Sequence, residues 1–182
     1  MSTIANGLVA GTWVIDPSHT EVAFSVRHLM VSKVRGTFSG VAGTITVGDT
    51  VDSVKVDVTI DAASVNTRDE NRDNHLRTND FFDIENHPTW TFVTTSVTGG
   101  ASDFAVTGDL TLRGVTKSVT LDTEFLGVNV DPWGNTKAGF SASTKINRKD
   151  FGVEWNAPLE AGGVLVGEEV KIELEIQAAL QK

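Results

Sequence analysis

The residues best suited to chemistry in this chain are four histidines, His19, His28, His75 and His87, and two arginines, Arg72 and Arg148. Imidazoles bind transition metals or move protons near neutral pH. A helical zinc motif needs two of them four residues apart, and no pair here has that spacing. The chain has no cysteine, so thiolate ligands, cysteine nucleophiles and disulfides are unavailable. His28 falls on the apolar face of an alternating segment, where a hydrogen-bonded core histidine is the simpler reading. The expectation is no metal and no cofactor.

Nucleophilic chemistry has no better footing. There is no Gly-x-Ser-x-Gly elbow and no glycine-rich phosphate loop opening a helix. The carboxylates sit mostly at turns, which Asp favours for local backbone reasons. Arg72, followed by Asp73, and Arg148, within Asn147-Arg148-Lys149-Asp150-Phe151-Gly152, admit two readings. One is an anion site for a ligand head group. The other, favoured here, is that they pair with Asp73, Asp80 or Asp150 and fasten a polar insert over an apolar body.

The elements that must position these groups are mostly strands. Val22, Phe24, Val26, His28 and Met30 share one face, and Val54, Val56, Val58 and Ile60 repeat the pattern. Similar alternation runs through Phe104 to Leu112, Val119 to Phe125, Phe140 to Ile146 and Val170 to Ile176. The pattern stops once, between Val65 and Trp90. There Thr67 and Glu70 have the spacing of a capping box, predicting a helix near 67–77. Thr78 or Asn79 can cap a second turn that delivers Phe81 and Phe82. Eight or nine strands with one short helical insert point to an all-β fold, a single antiparallel barrel spanning 1–182 with its ordered core near 11–178. Glycines at 36, 40 and 43 suit strongly curved strands, which favours a closed barrel over a sandwich.

Composition removes several function classes. A net charge of −9 argues against a nucleic-acid partner and against docking on anionic lipid. No stretch has the length of a membrane-spanning helix, so no stable membrane insertion is expected. The first residues lack a basic leader pattern, which suggests a cytoplasmic protein, or a periplasmic or secreted one if a leader has been removed. The inward face of the barrel would comprise Phe24, Val26, His28, Phe38, Val58, Phe92, Leu110, Leu112, Leu121 and Phe140. Phe81 and Phe82 would complete its wall beneath the insert. These are the candidate ligand contacts, although apolar pockets and filled cores use the same residue types.

Several separated motifs carry a resemblance. Asp16-Pro17-x-His19 with Val22-x-Phe24-x-Val26-x-His28 opens the chain, and Arg72-Asp73-x-His75-Leu76 with Asn79-Asp80-Phe81-Phe82-Asp83 follows. His87-Pro88-x-Trp90-x-Phe92, Asn147-Arg148-x-Asp150-Phe151-Gly152 and Gly167-Glu168-Glu169-Val170 complete the set. Together they resemble the YceI-like family from about Gly11 to Ile176. The resemblance implies a bacterial, lipocalin-like barrel that sequesters a polyisoprenoid, an isoprenoid quinone or a fatty amphiphile without catalysis, as a homodimer. The competing expectation is an enzyme, metal-dependent or not, acting on a small apolar substrate in the same cavity; a plain structural barrel is a third.

Overall fold

The computed structural model describes residues 7–29, 31–157 and 165–182; Met30 of the alternating face lies outside them. The alternating segments form strands because that backbone sends successive side chains to opposite faces, and one face must leave water. The strands are β1 (Gly11–Ile15), β2 (Glu21–His28), β3 (Ser32–Phe38), β4 (Val41–Val47), β5 (Lys55–Asp61) and β6 (Val65–Asn66). After the helix α1 (Glu70–Leu76) come β7 (Thr89–Gly99), β8 (Asp103–Leu112), β9 (Val115–Val130), β10 (Thr136–Asn147) and β11 (Val166–Leu180). All their pairings are antiparallel.

Three staves of the barrel are each made of two strands laid end to end, β1 with β2, β3 with β4 and β5 with β6. β1 and β2 run along the same edge of β11, with Trp13 opposite Leu180 and Val22 opposite Leu174. Between them Pro17 opens a short 3-10 turn, capped by the Asp16 carboxylate accepting from the Ser18 amide at 3.0 Å. β3 and β4 are joined in the same way, β3 pairing with β2 and β4 with β1. The eleven strands therefore make a closed barrel of eight staves, sealed where β1 meets both β4 and β11.

The two ends of this barrel differ. At the lower end Trp13, fully buried, packs with Leu8, Ile45, Val47, Ala138, Phe140 and Ala178 into a solid floor. At the upper end β5 stops at Asp61, and β3 finds only the two residues of β6 beside it. The segment from Ala62 to Pro88 fills that gap.

The insert departs from the predicted capping. The helix begins at Glu70, and its cap is Asp69, whose side chain accepts from the Arg72 amide at 3.0 Å. Thr67 is buried instead, donating its amide (2.9 Å) and hydroxyl (2.6 Å) to Asp73. Arg68, at φ +67°, reverses the backbone between them, so Thr67 is turned inward before the helix starts. The expected second turn exists as linked turns, with the Phe81 amide donating to Thr78 and the Phe82 amide to Leu76. Among the described residues no helix is long and apolar enough to cross a membrane.

Candidate functional site

Inside the upper part of the barrel lies a cavity of about 510 Å³. Its size falls within the range of ordinary ligand sites, roughly 300–1,000 Å³. The walls come from every strand except β6, and the roof from α1, Phe81, Phe82 and Trp155. The strand pattern explains the lining: on β5, outward Lys55, Asp57, Thr59 and Asp61 are exposed, whereas Val56, Val58 and Ile60 face inward. Those inward side chains are only half-buried, because part of their surface borders open space.

All the sequence-derived lining residues except Phe140 border this cavity. Phe140 lies below it. It packs on Phe125, with ring centroids 5.5 Å apart, and belongs to the floor. It sits beside a register shift between Gly139 and Phe140 against β9, near the lower end of the β10 ladder. Alternation gives the face of a residue but not its height.

Two of the aromatic walls depend on glycine. Phe24 lies opposite Gly36, and a Cβ there would sit 2.5 Å from the Phe24 ring. A Cβ on Gly108 would meet the ring of Phe92 at 2.6 Å. Each ring therefore lies flat across the neighbouring stave instead of projecting into the cavity.

The adjacent phenylalanines of the insert diverge. Phe82 packs edge-on against Trp90 at 4.9 Å and near Phe38 at 6.0 Å, joining the wall. Phe81 meets His75 at 5.0 Å and Trp155 at 5.3 Å, joining the roof. Both are buried and both border the cavity. The lining also reaches exposed Arg27, Asp69 and Asn71, so the cavity meets the surface between the end of β2 and the start of α1.

The arginines anchor, but not by the ion pairs expected from sequence. Arg148 is buried and, among the described residues, its guanidinium donates only to carbonyls: Gly167 (2.7 Å), Val153 (2.8 Å), Trp155 (2.9 Å) and Val166 (3.3 Å). Burial lowers its proton affinity, and Glu168 partly offsets this. Arg72 donates through Nε to the Thr67 hydroxyl and through Nη2 to its carbonyl, both at 2.7 Å. Asp73 is taken up by Thr67, and Asp80 by His75 at 2.8 Å. Arg113 bridges the Asn79 and Gly152 carbonyls and so links insert to barrel.

The histidines do not converge. His19 contacts Asp16 at 3.0 Å, His75 contacts Asp80, His28 borders the cavity and His87 packs at Gly114. Among the described residues no three His, Asp or Glu side chains are placed to hold a metal. The roof residue missed by sequence reasoning is Trp155, which stacks edge-on with His75 at 4.9 Å. It follows the Asn147–Gly152 run in irregular chain, where no periodicity could mark it.

Comparison with known proteins agrees with this architecture. The model of the YceI-like domain matches residues 13–178. A UPF0312 protein of Staphylococcus epidermidis is 41% identical over 168 residues, covering 91% of this chain and 95% of the relative. One from Staphylococcus aureus is 39% identical over 173 residues, covering 93% and 98%. Among solved structures, the Campylobacter jejuni YceI protein superposes with a TM-score of 0.71 at 33% identity, covering 86% of this chain and 90% of that one. BcnA of Burkholderia cenocepacia gives 0.77 at 21% identity, covering 90% and 98%. A polyisoprenoid binding domain from Saccharophagus degradans, implicated in plant cell wall breakdown, gives 0.72 at 14% identity, covering 93% and 98%. With the barrel, the helical insert and the separated motifs all accounted for by one match across almost the whole chain, the protein belongs to the YceI-like family.

Proposed function

We propose that this protein is a non-catalytic carrier that encloses the apolar chain of a long lipid, a polyisoprenoid or comparable amphiphile, with its polar head at the mouth beside α1. The observation that carries the reading is the cavity itself: about 510 Å³, walled by aliphatic and aromatic side chains, inside a barrel that could have been packed solid. Burying each methylene of a chain is favourable by about 0.8 kcal/mol, so a run of ten outweighs a large part of the entropic cost of association. The polyisoprenoid binding domain of Saccharophagus degradans, alike in fold, supports the ligand class.

The enzyme reading is weaker because most of the ionisable groups at the cavity are already engaged. Arg148 is held by carbonyls, Arg72 by Thr67 and His75 by Asp80. Catalysis needs convergent groups free to act on substrate. No cofactor or metal enters the proposed role. The reading extends to a cytoplasmic homodimer: Trp133 and Val130 stand 81% and 60% exposed at the β9–β10 tip, apolar surface suited to a second copy.

The test is native mass spectrometry of the protein taken from its own host, with lipid extraction, at native and dissociating ionic strength. A co-purifying long-chain lipid is expected. Phe82→Ala should still fold and should speed lipid exchange, since it removes the contact to Trp90 that closes wall to roof. A protein that carries no lipid and takes up none from vesicles sinks the proposal.

A further inference from the structure

A second, smaller void of about 70 Å³ lies below the main cavity, toward the floor. The two share four lining residues: Ile15, Val56, Leu121 and Ile176. These project from β1, β5, β9 and β11, on different sides of the ring, and so form a constriction rather than one wall. Beneath them the void is bounded by Val97, Phe104, Val106, Ala142 and Phe140, among others. Its one hydroxyl, on Thr123, is already donated to the Leu121 carbonyl at 3.3 Å. Nothing in it offers water a partner, and apolar voids of this kind stay dry. The space is about twice the ~30 Å³ that one water occupies in the liquid.

Packed interiors seldom leave voids larger than a water molecule. This one continues the line of the cavity and is separated from it only by aliphatic side chains, which turn about single bonds. We infer that the lower void is a terminal subsite for the hydrocarbon end of the ligand, and that Ile15, Val56, Leu121 and Ile176 set which chain lengths reach it. The inference rests on the carrier reading and adds a length filter to it. Short chains end above the constriction. Longer ones pass their last branched methyls through it, and the floor beneath, closed by Trp13 and Phe140, sets the stop.

Ala142 borders the lower void but not the main cavity, so Ala142→Leu fills the subsite while leaving the upper walls intact. Affinity is read for geraniol, farnesol, geranylgeraniol and solanesol by displacement of a fluorescent lipid, with a thermal melt as the folding control. The expected result is unchanged binding of the short prenols and a loss of about tenfold for the longest that the wild type holds, the effect of two methylenes left in water. Ile176→Ala, which opens the constriction and adds no bulk, should shift preference toward the longer prenols, and decides the matter if Ala142→Leu does not fold. A uniform change across the series, or no change in rank order with either variant, overturns the subsite. Wild-type protein that binds no prenol of any length overturns the carrier reading as well.

Discussion

The two ends of the barrel are shut by different means. The floor is closed by backbone: β1 hydrogen-bonds to β4 on one side and β11 on the other, and Trp13 fills what remains without exposed surface. The top is closed by side chains and carbonyls, through an insert whose links are Arg113 to Asn79, Phe82 to Trp90, and Arg148 beneath the turn after β10. A ladder opens only when strands part, which approaches global unfolding. A roof held by a few contacts opens locally and at lower cost. The difference assigns stability to one end and passage to the other.

The largest expected effect breaks that contrast deliberately. Trp13→Ala should cost about 3–5 kcal/mol, the loss typical of a large buried aromatic, and should lower the denaturant midpoint steeply. Arg148→Lys, at the other end, keeps the charge but can satisfy fewer of the four carbonyls, at a cost of about 1–3 kcal/mol. Its hydrogen-exchange signature should differ as well. Amides of 148–153 and of the insert should gain exchange while β1, β4 and β11 stay protected. Equal loss of protection at both ends would show that roof and floor are one cooperative unit.

A smaller effect sharpens the comparison at the junction of β1 and β2. Asp16 accepts from Ser18, His19 and Lys137, with Lys137 at 3.0 Å, and these hold its carboxyl well below the ordinary aspartate range. A carboxylate depressed in the folded state adds stability that is fully present above the unfolded pKa and fades as pH falls toward the folded one. Asp16→Asn should therefore cost about 1 kcal/mol or less near neutrality. Wild type and variant should converge in melting temperature as the solution is acidified below the ordinary aspartate value. A gap that widens on acidification would contradict the assignment.

Much of this was legible in the residues, for identifiable reasons. Period-two alternation is imposed by the pleat, so β2, β5, β8, β9 and β11 and the facing of Phe24, Val58 and Leu110 follow from spacing alone. The interruption between Val65 and Trp90 marked the insert, and adjacent aromatics at a turn marked two divergent directions. What spacing does not carry is position along the barrel axis, so it could not show that Phe140 borders the lower void and not the main cavity. Nor does it show how a buried polar group is satisfied. Thr67 has the capping-box pattern, yet burial gave it to Asp73; Arg148 has acidic neighbours in sequence, yet carbonyls from two chain segments surround it. Partners of that kind are brought together by the fold, and Trp155 reaches the roof in the same way.

The seam that shuts the ring joins β1 and β2, residues 13–28, to β11, residues 166–180, almost the full length of the described chain apart. Until that contact forms, the other staves are a curved open sheet with its apolar face unsealed. Closure is thus the most non-local event in the whole structure, and such contacts are made late because the intervening chain must be ordered first. During synthesis the barrel stays unfinished until β11 has emerged, and a nascent chain paused before Val166 presents a hydrophobic trough rather than a vessel.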